Sequence, residues 1–142
     1  MLSRTANQTT NRREPAMPSP KILAVDDDAD IVRALRLRLR ASNYEVVSAG
    51  DGYAAITSAQ KERPDLIILD LGLPAGDGFV VLDRLRKADL LSSTPVIVLT
   101  SQDPRTTEER ALKAGATAFF QKPANNHDLL NTIWGSLNPG GA

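Results

Sequence analysis

Leu66-Ile67-Ile68-Leu69-Asp70-Leu71-Gly72-Leu73-Pro74-Ala75-Gly76-Asp77-Gly78 is the stretch on which the fold turns. Four apolar residues, Leu66 to Leu69, run directly into a carboxylate. A short unbroken apolar run ahead of a turn signal reads as a strand buried on both faces, as in parallel sheets. Pro74, Gly76 and Gly78 then interrupt the chain, so Asp70 falls at the strand's C-terminal end. Open α/β sheets carry their sites at that edge. An Asp there can equally start a turn or cap a helix. What ends the other strands decides between the two.

Working outward, the same pattern recurs. Ile22-Leu23-Ala24-Val25 is a second short apolar run, and it ends in Asp26-Asp27-Asp28 with Asp30 close behind. A helix over Ala29 to Ala41 follows, with Ile31, Val32, Leu35 and Leu39 at helical spacing. Arg33, Arg36 and Arg40 share the other face, and Leu37 points outward among them. Tyr44 to Ala49 alternates weakly and predicts a strand. Gly50-Asp51-Gly52 predicts a turn, and Tyr53 to Lys61 a helix that Pro64 ends. Beyond Asp70, the pattern predicts a helix over Phe79 to Lys87 with Phe79, Leu82 and Leu85 inward, and a loop over Ala88 to Thr94. Val96 to Leu99 is the fourth strand, ending in Thr100-Ser101. Pro104 opens a helix to Lys113 that Ala114-Gly115-Ala116 closes. Ala118 to Gln121 is the fifth strand, followed by Lys122-Pro123. Asn125 and Asp128 look like a capping pair for a last helix to Leu137.

Five β-then-α units give a three-layer α/β sandwich with a parallel sheet. The expected strand order is the flavodoxin-like 2-1-3-4-5, whose switch point lies between strands 1 and 3. Those strands end in Asp26-Asp27 and in Asp70.

Composition bounds the rest. The chain of 142 residues suits one domain, read as residues 21–137 between a disordered tail over 1–20 and a frayed end over 138–142. Formal net charge is zero, so no bulk attraction to nucleic acid or to an anionic membrane is implied. Cysteine is absent, which excludes disulfide and thiol chemistry and fits a cytoplasmic protein. No run is long enough for a membrane span.

The strand ends together carry chemistry. Strand 1 supplies Asp26 and Asp27, strand 3 Asp70, strand 4 Thr100 and strand 5 Lys122. Three carboxylates around one crevice repel one another until a cation joins them. Oxygen donors of this kind suit Mg²⁺ better than Zn²⁺. Lys122 adds a fixed positive charge and Thr100 a hydroxyl, which completes a phosphoryl-binding set around Asp70 as nucleophile. His127, the single histidine, lies at a helix start and reads as solvated.

From Pro20 to Leu137 the chain resembles the receiver domain of two-component response regulators, similar to the single-domain chemotaxis regulator. The marks are Val25-Asp26-Asp27-Asp28, Leu69-Asp70 with Leu73-Pro74 and Asp77-Gly78, Leu99-Thr100-Ser101, Ala114-Gly115-Ala116 and Lys122-Pro123. The resemblance implies that Asp70 accepts a phosphoryl group from a phosphohistidine of a sensor histidine kinase or histidine phosphotransfer protein. It implies Mg²⁺ on Asp26, Asp27, Asp70 and the main-chain carbonyl of Gly72, with Thr100 and Lys122 on the phosphoryl oxygens. It implies a switch through Thr100 and Phe119, an output surface on helix 4, strand 5 and helix 5, and a cis Lys122-Pro123 bond. The domain would signal to an output protein or domain and catalyse only its own phosphorylation and dephosphorylation.

Three positions vary from the usual pattern. Gly72 stands where many receivers carry a side chain that influences attack by water. Phe119 stands where Tyr is common, and Ala124 where Phe is frequent. The alternative is a haloacid-dehalogenase-type Mg²⁺-dependent phosphatase or phosphotransferase, but its second acid would fall at Gly72. A Ca²⁺ loop over Asp26 to Asp30 lacks the required Gly and distal Glu. Nothing after Leu137 can form an output domain, so the sequence reads as a stand-alone receiver or one cut from a longer chain.

Overall fold

The computed structural model describes residues 19–74 and 77–140. Most of the expected N-terminal tail, Ala75-Gly76 of the central turn, and the last two residues of the expected frayed end lie outside that range. Strands β1 (Lys21–Val25), β2 (Glu45–Ala49), β3 (Leu66–Leu69), β4 (Val96–Thr100) and β5 (Ala118–Gln121) alternate with helices. The helices are α1 (Ala29–Ala41), α2 (Gly52–Glu62), α3 (Gly78–Lys87), α4 (Pro104–Lys113) and α5 (Asn126–Leu137). All neighbouring strands are parallel, in the order β2-β1-β3-β4-β5 that the pattern predicts.

Side chains alternate across the sheet, and each face has its own core. Leu23, Val25, Ile67, Leu69, Val96 and Val98 pack against Ala55 and Ala59 of α2, Val81, Leu82 and Leu85 of α3 and Ala111 of α4. Ile22, Ala24, Leu66, Ile68, Ile97 and Leu99 pack against Leu35 and Leu39 of α1 and Leu129 and Ile133 of α5. The apolar runs carry no alternation because both faces are covered.

Element ends differ from the sequence expectation by a residue or so, and capping explains most of it. The Asp51 carboxylate accepts from Ala54 N at 2.8 Å, so α2 starts at Gly52 rather than Tyr53. It ends at Glu62 because Arg63 turns left-handed (φ 49°) ahead of Pro64. The Asp77 carboxylate accepts from Phe79 N at 2.8 Å, which starts α3 at Gly78. Val81 joins Leu82 and Leu85 in the core, whereas Phe79 is only half-buried. Thr100 still pairs with Gln121, so β4 runs one residue further than expected. The loop after α3 buries Leu91. The Asn125 side chain accepts from Asp128 N at 3.0 Å, as the capping pair predicts.

Candidate phosphoacceptor site

Register builds the site. Val25 lies beside Leu69, so the next residues, Asp26 and Asp70, leave the sheet as neighbours. Asp26 N bonds to Ala49 O on one side at 3.1 Å, and Asp70 N to Val25 O at 2.9 Å, which extends the ladder past the strands. On the far side Thr100 pairs with Gln121, and Lys122 N bonds to Thr100 O at 2.8 Å. The Lys122-Pro123 bond is cis, as expected.

The sequence-predicted residues therefore converge. Asp26, Asp27 and Asp70 offer carboxylate oxygens that all lie within 4.8 Å of one another. Asp26 and Asp70 are buried, and Asp27 is exposed. The Lys122 ammonium bridges the two buried acids, at 2.6 Å from Asp26 Oδ2 and 3.3 Å from Asp70 Oδ2. Burial alone would lower the Lys122 pKa, but the hydrogen bond to Asp26 and the charge of Asp70 outweigh it and leave it raised. The second oxygen of Asp70 accepts from Gly72 N at 3.1 Å, and that of Asp26 from Asp28 N at 2.9 Å. Thr100 is fully buried; its hydroxyl accepts from Gln102 N at 3.4 Å.

An all-oxygen donor set of three close carboxylates, one of them open to solvent, fits a hard cation such as Mg²⁺. Phe119 pairs with Val98 on β4 and packs on the core beneath α2, α3 and α4. Period two along β4 puts Thr100 on the same face as Val98. The expected switch pair thus shares one side of the sheet.

Asp28 and Asp30, the other acids of the run, are accounted for by α1. The Asp28 carboxylate caps the helix by accepting from Asp30 N and Ile31 N, and Asp30 pairs with Arg33 at 3.0 Å. That removes the basis of the Ca²⁺-loop alternative. His127 is exposed beside Asn131.

Sequence reasoning missed two close packings, one beside the pocket and one at the opposite edge of the sheet. Gly78 sits so close to the backbone after Asp70 that a Cβ there would lie 2.4 Å from Leu71 Cα and 2.8 Å from Asp70 O. The Arg86 methylenes run past Gly115, and its guanidinium donates to the carbonyls of Ser92 and Thr94. Burial there pushes the Arg86 pKa below its usual value. Asp77-Gly78 was visible as a motif, but nothing local marks Arg86.

Fold and site together define a flavodoxin-like α/β domain with a lysine-bridged acidic pocket at its switch point. The chain belongs to the response regulator receiver family: the model of that domain matches residues 22–134. It is a receiver domain of two-component signal transduction, and the haloacid-dehalogenase alternative finds no support.

Among relatives, the transcriptional regulatory protein PrrA of Mycobacterium tuberculosis is 39% identical over 110 residues, 78% of this chain and 46% of PrrA. The chain thus spans about half of that relative's length. The chemotaxis response regulator CheY4 of Vibrio cholerae superposes with a TM-score of 0.76 at 35% identity, covering 83% of this chain and 98% of CheY4. The receiver domain of the sensor histidine kinase PA1611 of Pseudomonas aeruginosa superposes with a TM-score of 0.78 at 28% identity, covering 84% and 98%. That structure has a magnesium ion coordinated in its active-site cleft. No described helix of the present chain is long and apolar enough to cross a membrane.

Proposed function

We propose that Asp70 accepts a phosphoryl group from a phosphohistidine of a sensor histidine kinase or histidine phosphotransfer protein. The supporting observation is that Asp70 lies buried between Asp26 and the Lys122 ammonium at the sheet's switch point. An Asp70 oxygen attacks phosphorus, the P–N bond breaks, and the imidazole keeps the electron pair. Lys122 and the Thr100 hydroxyl stabilise charge on the transferring oxygens. Asp26, Asp27, Asp70 and the Gly72 carbonyl would hold Mg²⁺, which when bound supplies positive charge to the carboxylates and phosphoryl oxygens.

Phosphorylation then draws Thr100 toward the new charge and lets Phe119 repack, changing the surface of α4, β5 and α5 for an output partner. Helix α1 is the docking face for the phosphodonor. It leads straight out of the pocket, and Leu37 is 68% exposed among arginines that can choose a partner by charge.

The test is a phosphotransfer screen with purified histidine kinases of the source organism. One kinase should transfer much faster than the others, and Asp70→Asn should accept from none. Undiminished transfer to Asp70→Asn would overturn the assignment.

A further inference from the structure

Helix α4 is weakly seated. Only Ala111 of its ten residues is buried, whereas α3 buries Gly78, Val81, Leu82 and Leu85 in the same length. Apolar burial is what normally fixes a helix on a sheet. A specific contact therefore has more weight here than elsewhere in the domain. That contact is cationic: the Arg110 guanidinium carbon lies 3.7 Å from the centroid of the Phe79 ring. Among the described residues Arg110 has no carboxylate partner, since the nearby Glu109 pairs with Lys113 at 2.9 Å.

The two partners are tied to opposite sides of the pocket. Phe79 is in the first turn of α3, held by the Asp77 cap and by the close approach of Gly78 to the Leu71 backbone. These contacts anchor it to the loop that leaves Asp70. Arg110 rides on α4, which begins just beyond Thr100 and Gln102. Gln102 N donates to the buried Thr100 hydroxyl at 3.4 Å. The displacement of Thr100 toward a phosphorylated Asp70 proposed above would strain that bond and shift the start of α4 relative to the anchored Phe79. Cation–π attraction fades once the charge leaves the ring face.

We propose that Arg110 on Phe79 is an inhibitory latch, holding α4 against α3 in the unphosphorylated domain and setting how readily the domain adopts its phosphoryl-binding arrangement. The proposal rests on Asp70 as acceptor. An exposed cation–π contact is worth about a two- to five-fold factor in an equilibrium constant. If the latched form dominates at rest, releasing the contact raises the competent fraction by that factor.

The experiment compares wild type, Arg110→Gln, Arg110→Lys, Phe79→Leu and the Arg110→Gln/Phe79→Leu pair. Beryllofluoride with Mg²⁺ serves as the phosphoryl probe, and hydrogen exchange over residues 104–113 is followed without any probe. Thermal melting checks that each variant is folded. Arg110→Gln and Phe79→Leu should each lower the beryllofluoride concentration at half-saturation about two- to five-fold and speed α4 exchange by a similar factor. The pair should add nothing beyond either single change, and Arg110→Lys should lie between. Unchanged or weaker beryllofluoride binding, or additive effects of the two changes, would overturn the latch. If wild type binds no beryllofluoride, the Asp70 reading fails instead, and α4 exchange that is equal in all variants then refutes the latch on its own.

Discussion

Replacing Gly78 with alanine tests whether the frame of the pocket is as tight as its geometry implies. A Cβ at residue 78 would lie 2.4 Å from Leu71 Cα and 2.9 Å from Leu71 O. Carbon contacts are comfortable near about 3.5–4.0 Å. The atoms met are backbone, so no side chain can swing aside, and the start of α3 must move by about an ångström. That costs about 1–3 kcal/mol as overpacking. It also weakens the 3.1 Å hydrogen bond from Gly78 N to Leu71 O, worth about 1 kcal/mol. Against this, alanine gains about 0.4–1 kcal/mol by restricting the unfolded chain. The net expectation is a loss of about 2 kcal/mol, or a melting temperature lower by about 6–10 °C for a domain of this size. The control is Gly135→Ala, where nothing lies within 4 Å and a helix-interior alanine should stabilise by about 0.5–1 kcal/mol. Urea and thermal unfolding measure both. Equal stabilisation by the two substitutions would refute the close-approach argument.

Mg²⁺ should stabilise the fold without any phosphate, by about 2.7 kcal/mol at a hundredfold excess over Kd, read as a rise in melting temperature. Asp27→Asn should abolish most of that rise at little cost to the metal-free fold, since Lys122 bridges Asp26 and Asp70 rather than Asp27. Titration calorimetry checks the binding itself. Leu37→Ala and Arg36→Glu should slow transfer from the cognate kinase while leaving acetyl phosphate labelling unchanged; an equal fall in both rates would contradict a docking role. Gly72→Val should lengthen the life of the phosphorylated form by shielding Asp70 from water. A Cβ there sits at ordinary contact distance, 3.8 Å from Asp70 Oδ1 and 3.9 Å from Gln102 Nε2. Faster decay of the label would contradict that shielding.

Much of this was legible because strand ends and register are coupled. Once Val25-Asp26 and Leu69-Asp70 are read as buried strands running into acid, parallel pairing in the 2-1-3-4-5 order leaves the carboxylates side by side. The same logic delivers Thr100 and Lys122. Leu37 was legible too, because an apolar residue off the helical stripe has nowhere to go but solvent. Helix boundaries were less so: capping by Asp51 and Asp77 extends α2 and α3 by a residue, and short polar side chains suit caps and turns alike. The tie of Arg36 to Ser48 at 3.1 Å, the path of Arg86 past Gly115 and the seat of Arg110 on Phe79 were not legible. Each joins residues distant in sequence through a long side chain whose direction only tertiary packing sets.

Intact mass measurement after incubation with acetyl phosphate and Mg²⁺ tests the central claim most directly. Wild type should gain a single phosphoryl group that is lost on hydroxylamine treatment, as an acyl phosphate is, and Asp70→Asn should gain none. A phosphoryl adduct of undiminished yield on Asp70→Asn would contradict the account.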